Sequence, residues 1–313
     1  MPGSIHYPPV LSLLSEARLS AVPALFGLQS DMEKYGFCIW QQHAAASLYP
    51  LVQQLELVLR NAIDGTARAR FGDYWWDNIR CDATRENAGV FRDNIRKAEK
   101  KLRRMWRKAE ASRPGLNDLA KVMTQPPPLT HDDIIAATDF HTWEAILVDA
   151  WAADTIMEQG DFLWPLSLTK VFRRLDTIDC NPKVARRKLI NLINELREYR
   201  NRLFHHDCIW IKSRTTDART AIDSIREKIN LMEKVLYAVS PATVAALKKW
   251  GVFENARRIC STQELSIYLN HSYPQVQTEE LPVFNRYLKP ARDGWASATI
   301  MVEDKTCVLY RLR

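Results

Sequence analysis

Leu189-Ile-Asn-Leu-Ile-Asn-Glu-Leu-Arg-Glu-Tyr-Arg-Asn-Arg-Leu-Phe-His-His206 is the stretch on which the reading of this chain turns. Its apolar positions 189, 192, 193, 196 and 203 fall on one face of a helix with a 3.6-residue period. Pro182 suits a first helical turn, so a helix is predicted from Lys183 to about His205. Arg200 lies on the apolar stripe, four residues after Leu196 and three before Leu203. A charge among core positions needs a partner or a purpose. Asn201 and His205 are four apart and share a face. Arg200 and His205 diverge by about 140° on an ideal helix. They meet at one pocket only if the helix ends near His205 and the long Arg side chain reaches round it.

A complement to Arg200 stands upstream. In Leu51-Val-Gln-Gln-Leu-Glu-Leu-Val-Leu-Arg-Asn-Ala-Ile63, positions 52, 55, 59, 62 and 63 define a second apolar stripe, and Glu56 lies on it. A buried Glu and a buried Arg on two core helices invite pairing. Two readings stay open: a salt bridge that orders the core, or one half of a working site.

Outward from these two segments, helices dominate. The chain has only 10 glycines in 313 residues, fewer than strands and tight turns usually need. The pattern predicts helices over about Leu11–Leu28, interrupted at Pro23, and Asp31–Phe71, with a kink near Pro50 and Gly72 ending it. A basic helix follows over 86–112, stopped by Pro114-Gly115, then a linker at 125–129 containing three consecutive prolines. Thr130 caps the next helix, with Asp132 and Asp133 in its first turn. Apolar helices continue to about Trp151 and from Trp164 to Leu175, and another runs from Thr216 to Val239. Short helices fit Pro241–Trp250 and Thr262–Leu269, and Ala298–Val302 with Cys307–Leu312 reads as a β-hairpin around Glu303–Thr306. The expected organisation is a helical domain over 1–240 and a small appended module over 241–313.

Bulk properties narrow the function classes. Hydrophobic residues make up 46% and charged residues 26%, a globular balance. No apolar run reaches the ~18–20 residues of a membrane span. Met1 to Pro9 has no basic start leading into an apolar stretch, so no signal peptide is expected and the cytoplasm is the expected location. The six cysteines are scattered, without CxxC spacing, and neither disulfides nor zinc is expected. No phosphate-cradling or dinucleotide glycine motif occurs, so no cofactor is expected. His6, His43, His131, His141 and His271 have no partner at ligand spacing, and each reads as structural or exposed.

Net charge is +7. Between Arg92 and Arg113 stand ten Lys/Arg against three Asp/Glu. Arg96, Lys97, Lys100, Lys101, Arg103, Arg104, Arg107 and Lys108 form either a solvated helix face or a phosphate-binding stripe with Trp106 available for stacking.

The string Arg200-Asn-Arg-Leu-Phe-His-His206 resembles the active-site motif of the HEPN superfamily, in particular its Abi-like abortive-infection branch (AbiD/AbiF type). The resemblance extends through Phe37-Cys-Ile-Trp40, Ser47-Leu-Tyr-Pro-Leu51 and Leu55-Glu-Leu-Val-Leu-Arg-Asn-Ala-Ile63. It continues in Gly72, Trp75-Trp76, Phe172-Arg-Arg-Leu175 and the helix from Arg186 to His206. Asp207-Cys-Ile-Trp210 departs from the Glu-Pro-Ile that often follows the His pair, and Asp139-Phe-His-Thr-Trp143 only faintly echoes the middle block.

The resemblance implies a HEPN-like helical bundle with added helices, acting as a homodimer that places two R-x(4–6)-H motifs round a shared cleft. It implies a metal-independent RNA endonuclease of a phage-defence or toxin system. His205 is then the acid/base, Arg200 the electrostatic group facing phosphate, Asn201 an orienting residue and Glu56 the side chain that holds Arg200. His206, Arg60 and Asn61 are auxiliary candidates, and His206 is also read as a helix-end residue. The chemistry suits these groups: the substrate 2′-hydroxyl attacks, an imidazole exchanges protons near neutrality, and a permanent guanidinium charge steadies the phosphate. An RNA-binding protein that forms a ribonucleoprotein with a small noncoding RNA, without cutting it, is the second reading. A helical protein–protein module with a structural Arg–Glu pair is the third.

Overall fold

The structure, a computed structural model, describes residues 5–14, 19–20, 22–115, 118, 121, 124–269, 289, 298–302 and 305–309. It is mainly α-helical. In chain order the helices are α1 Pro8–Leu13, α2 Val22–Phe26, α3 Asp31–Phe71, α4 Trp75–Asn78, α5 Val90–Ala111, α6 His131–Ala137 and α7 Phe140–Ala145. They continue as α8 Leu168–Val171, α9 Pro182–Phe204, α10 Ala218–Val239, α11 Pro241–Lys249, α12 Val252–Ile259 and α13 Thr262–Tyr268.

Helix α3 is the spine. Ser30 accepts from the Glu33 N–H at 3.2 Å, and the Glu33 carboxylate accepts from the Ser30 N–H at 2.9 Å, a reciprocal cap that starts the helix. Phe37, Trp40, Ala44, Leu48, Leu55, Leu59 and Ile63 are buried along it at helical spacing. The helix runs through Pro50, whose missing N–H leaves one carbonyl a turn earlier without its intrahelical donor. Gly72 ends it at φ 80°, a conformation that an L side chain rarely adopts. At the helix end, Arg70 donates to the carbonyls of Gln159, Gly160, Phe162 and Leu163 and to Ser167 Oγ, which ties down the segment ahead of α8.

Helices α7, α10, α12 and α13 pack against α3, α9 packs on α7 and α10, and α5 lies on α6 and α7. Gly36 permits the close approach of α13, since a Cβ there would stand 2.0 Å from the Tyr268 carbonyl oxygen. Helix α9 is capped by Asn181, whose side chain accepts from the N–H groups of Lys183 and Val184 at 3.0 and 3.3 Å.

Several expectations change; the basic helix starts at Val90 rather than at 86, and of the helix expected over 164–175 only Leu168–Val171 is α-helical. Among the described residues of the stretch 11–28, α1 ends at Leu13 and α2 holds Pro23 inside it near its start, and α12 was not foreseen. The first compact unit spans Met1–Asn270, past the boundary expected at 240, because α11, α12 and α13 close on α10 and α3 and bury Val244, Phe253, Ala256 and Leu265. The second unit is His271–Arg313. Its described residues include strands β1 Ala298–Val302 and β2 Lys305–Leu309, paired antiparallel with Ile300 opposite Cys307. The second strand starts two residues earlier than expected, while residues 303–304 and 310–312 of the expected hairpin lie outside the described residues.

Candidate functional site

Glu56 on α3 and Arg200 on α9 come together as the two apolar stripes suggested. Arg200 Nε stands 3.9 Å from Glu56 Oε2. The pair is not buried in the core, however. The Arg200 and Glu56 side chains are 31% and 22% exposed, and Tyr199, not Arg200, fills the deep position of that turn at 2%. The reason is depth along the helix. Leu189, Ile193 and Leu196 are buried, whereas Leu203 is half-buried and Phe204 exposed, so the last turn of α9 runs out past the core.

The contact between the charges is loose. Arg200 Nε is shielded from solvent yet has no hydrogen-bond partner, and the guanidinium's remaining polar contact is a long bond from Nη1 to Asn201 Oδ1 at 3.4 Å. Its planar face rests on the Phe204 ring, 4.3 Å from the centroid. Burial raises the Glu56 pKa from its ordinary value, Arg200 and Arg60 partly offset this, and Asp139 adds to it. Arg60 Nε donates to Asn61 Oδ1 at 3.2 Å. Glu56, Arg60 and Arg200, with Tyr49 and Phe204, line a cleft of about 240 Å³. With two guanidiniums against one carboxylate, the cleft favours an anion.

His205 and His206 separate. Helix α9 stops at Phe204, as the site required, and His205 is its C-cap, donating its backbone N–H to Asn201 O at 2.9 Å. Its imidazole is exposed and lines neither the charged cleft nor the larger cavity beside it. His206 takes a left-handed φ of 55° and lines that larger cavity, of about 1310 Å³, with Gln41, Gln42 and Trp210. One chain thus presents Arg200 inside a cleft and His205 outside it.

The basic helix is ordered as a two-faced element. Phe91, Ile95 and Ala98 are buried, and Leu102 and Trp106 are half-buried. Arg96, Lys97, Lys100, Lys101, Arg103, Arg104, Arg107 and Lys108 are all exposed. At 100° per residue these eight span about 160° of the helix circumference. Arg96 pairs with Asp93 at 3.2 Å; among the described residues no carboxylate pairs with the other seven. Trp106 lies on the half-buried side, away from the centre of the cationic face.

Of the remaining histidines, His131 is 4% exposed and structural: Nδ1 accepts the Tyr74 N–H at 3.2 Å, so Nε2 carries the proton and donates to Asp64 at 3.0 Å. His43 bonds the Tyr268 hydroxyl, and His141 faces Asn94 at 3.4 Å. Tyr49 was missed by sequence reasoning. Tyr49 is two turns from Glu56 on α3 and so shares its face, a signal present in the spacing.

Compared with known proteins, the chain matches no family model, no curated sequence and no solved structure. Fold and site define a mainly α-helical protein with a cationic cleft at the end of α9 and a cationic helix face on α5. Among the described residues no helix is long and apolar enough to cross a membrane.

Proposed function

We propose that this protein is a metal-independent RNA endonuclease of the HEPN type, working in the cytoplasm in phage defence or as a toxin. The observation that carries the reading is the cleft at the end of α9, where the Arg200 guanidinium, only loosely paired with Glu56, stands with Arg60 along the cleft wall. A phosphodiester suits that cleft in charge, and a guanidinium offers its oxygens paired donors. His205, exposed four residues beyond Asn201 at the helix end, is the proton-transfer group. Because its imidazole lies outside the cleft of its own chain, the reaction needs a homodimer in which two α9 ends face each other and each His205 serves a shared substrate channel. Attack by the 2′-hydroxyl then gives one product with a 2′,3′-cyclic phosphate and one with a free 5′-hydroxyl. The test is cleavage of labelled RNA in EDTA, with cyclic-phosphate ends from wild type and none from His205→Ala.

The separation of His205 from Arg200 also favours a second reading, an RNA-binding protein that holds a small noncoding RNA without cutting it. The exposed cations of α5 serve both readings as the phosphate-tracking surface. Purification of the protein with a discrete RNA that stays intact, by wild type and His205→Ala alike, would select the second.

A further inference from the structure

Tyr49 and Phe204 are large aromatic side chains left 47% and 42% exposed in a chain that buries most of its others. Their rings meet edge to face, 5.5 Å between centroids at 61°. Single exposed aromatics need no explanation, but these two form a pair, and the pair is tied to the site by the Arg200 guanidinium stacked on Phe204. Both residues line the charged cleft and also the larger cavity, so they form the wall between the two. On one side stand Arg60 and Arg200. On the other is a mostly apolar space edged by the amides of Gln41 and Gln42. Gln41 Nε2 donates to the Asp207 carbonyl at 3.2 Å, and Gln42 is exposed.

We propose that Tyr49 and Phe204 seat one unpaired nucleobase of single-stranded RNA, with the adjoining phosphate directed to Arg200 and Arg60. The inference rests on the RNA reading above and adds to it the strandedness of the substrate. A nucleotide has the two-part chemistry this wall divides: a flat π face that stacks on aromatic rings and an anionic phosphate about one sugar away. The glutamine amides supply a donor and an acceptor for a base edge. A base inside a duplex has both faces stacked and its pairing edge engaged, so it cannot take the seat without leaving the helix.

The test is fluorescence anisotropy with a labelled unstructured oligoribonucleotide and with the same strand in a perfect duplex, in the His205→Ala background so that RNA stays intact. The parent binds the single strand more tightly than the duplex. Tyr49→Ala and Phe204→Leu each weaken single-strand binding about ten-fold and leave duplex binding, carried by α5, unchanged. Tyr49→Trp keeps the single-strand affinity, which a role in packing alone would not preserve. Variants that melt like the parent and bind the single strand equally well overturn the proposal, as does an equal loss for both RNA forms. Tyr49-dependent binding, with RNA left intact by the wild-type protein as well, supports the seat and removes the nuclease reading. A parent that binds neither RNA form removes both.

Discussion

Arg200 Nε stands 3.9 Å from Glu56 Oε2, at the limit of an ion-pair contact, and its shielded N–H donates to nothing. A structural salt bridge would close that distance and satisfy the donor. The open geometry matters because a guanidinium held this loosely, and about a third exposed, can turn its donors to an incoming oxyanion.

Arg200→Ala is therefore expected to lower activity more than stability. With about a third of the side chain exposed and the pair loose, its loss costs about 1 kcal/mol, less than a core ion pair would. Arg200→Lys keeps the charge but loses the planar stack on Phe204 and the fork of donors. Both variants are expected to unfold in urea near the wild-type midpoint and to lower single-turnover cleavage at least ~100-fold. A loss of several kcal/mol in Arg200→Ala would return the pair to a structural role.

Glu56 gives a pH-dependent prediction. Its folded-state pKa is raised, first by burial, against the pull of Arg200 and Arg60. The folded protein thus binds this proton more readily than the unfolded chain. Stability from the group is present at acid pH and is lost as pH rises from the ordinary carboxylate range through the raised value. Glu56→Gln is expected to be as stable as wild type or more stable at neutral pH, with that advantage shrinking on acidification. Thermal melts across this range check it, and a variant clearly less stable at neutral pH would contradict it.

Replacing Arg103, Arg104 and Arg107 by Glu is expected to leave the fold intact, since all three are exposed and unpaired with carboxylates among the described residues. RNA affinity falls, and the slope of log affinity against log salt becomes shallower by about 0.7 for each single-strand phosphate contact removed. An unchanged slope would make the face merely solvated.

Gly36→Ala tests the packing that extends the first unit to residue 270. The new Cβ would lie 2.0 Å from the Tyr268 carbonyl oxygen, so α13 must shift. The overpacking cost of about 1–3 kcal/mol outweighs the ~1 kcal/mol gain in helix propensity. Denaturant titration is expected to show net destabilisation.

The long elements were legible because their signals are local. Asp31–Phe71 has its cap at Ser30 and its glycine stop at Gly72, and the stripe from Leu189 to Leu196 fixed the phase of α9. The same phase argument brought Glu56 to Arg200. It failed on depth, because how far a helix end projects beyond the core depends on what packs there, and periodicity carries no such information. The sequence also could not show that His205 would lie outside the cleft while His206, in a left-handed turn, faced the neighbouring cavity. Helix α12 went unread because its eight residues carry three charges and only a short apolar pattern.

The most direct test is end analysis of labelled RNA incubated with purified protein in EDTA, wild type beside His205→Ala, with both checked for the same oligomeric state. The account predicts fragments ending in 2′,3′-cyclic phosphate from wild type alone. Intact RNA with both proteins, or equal cleavage by both, would contradict it.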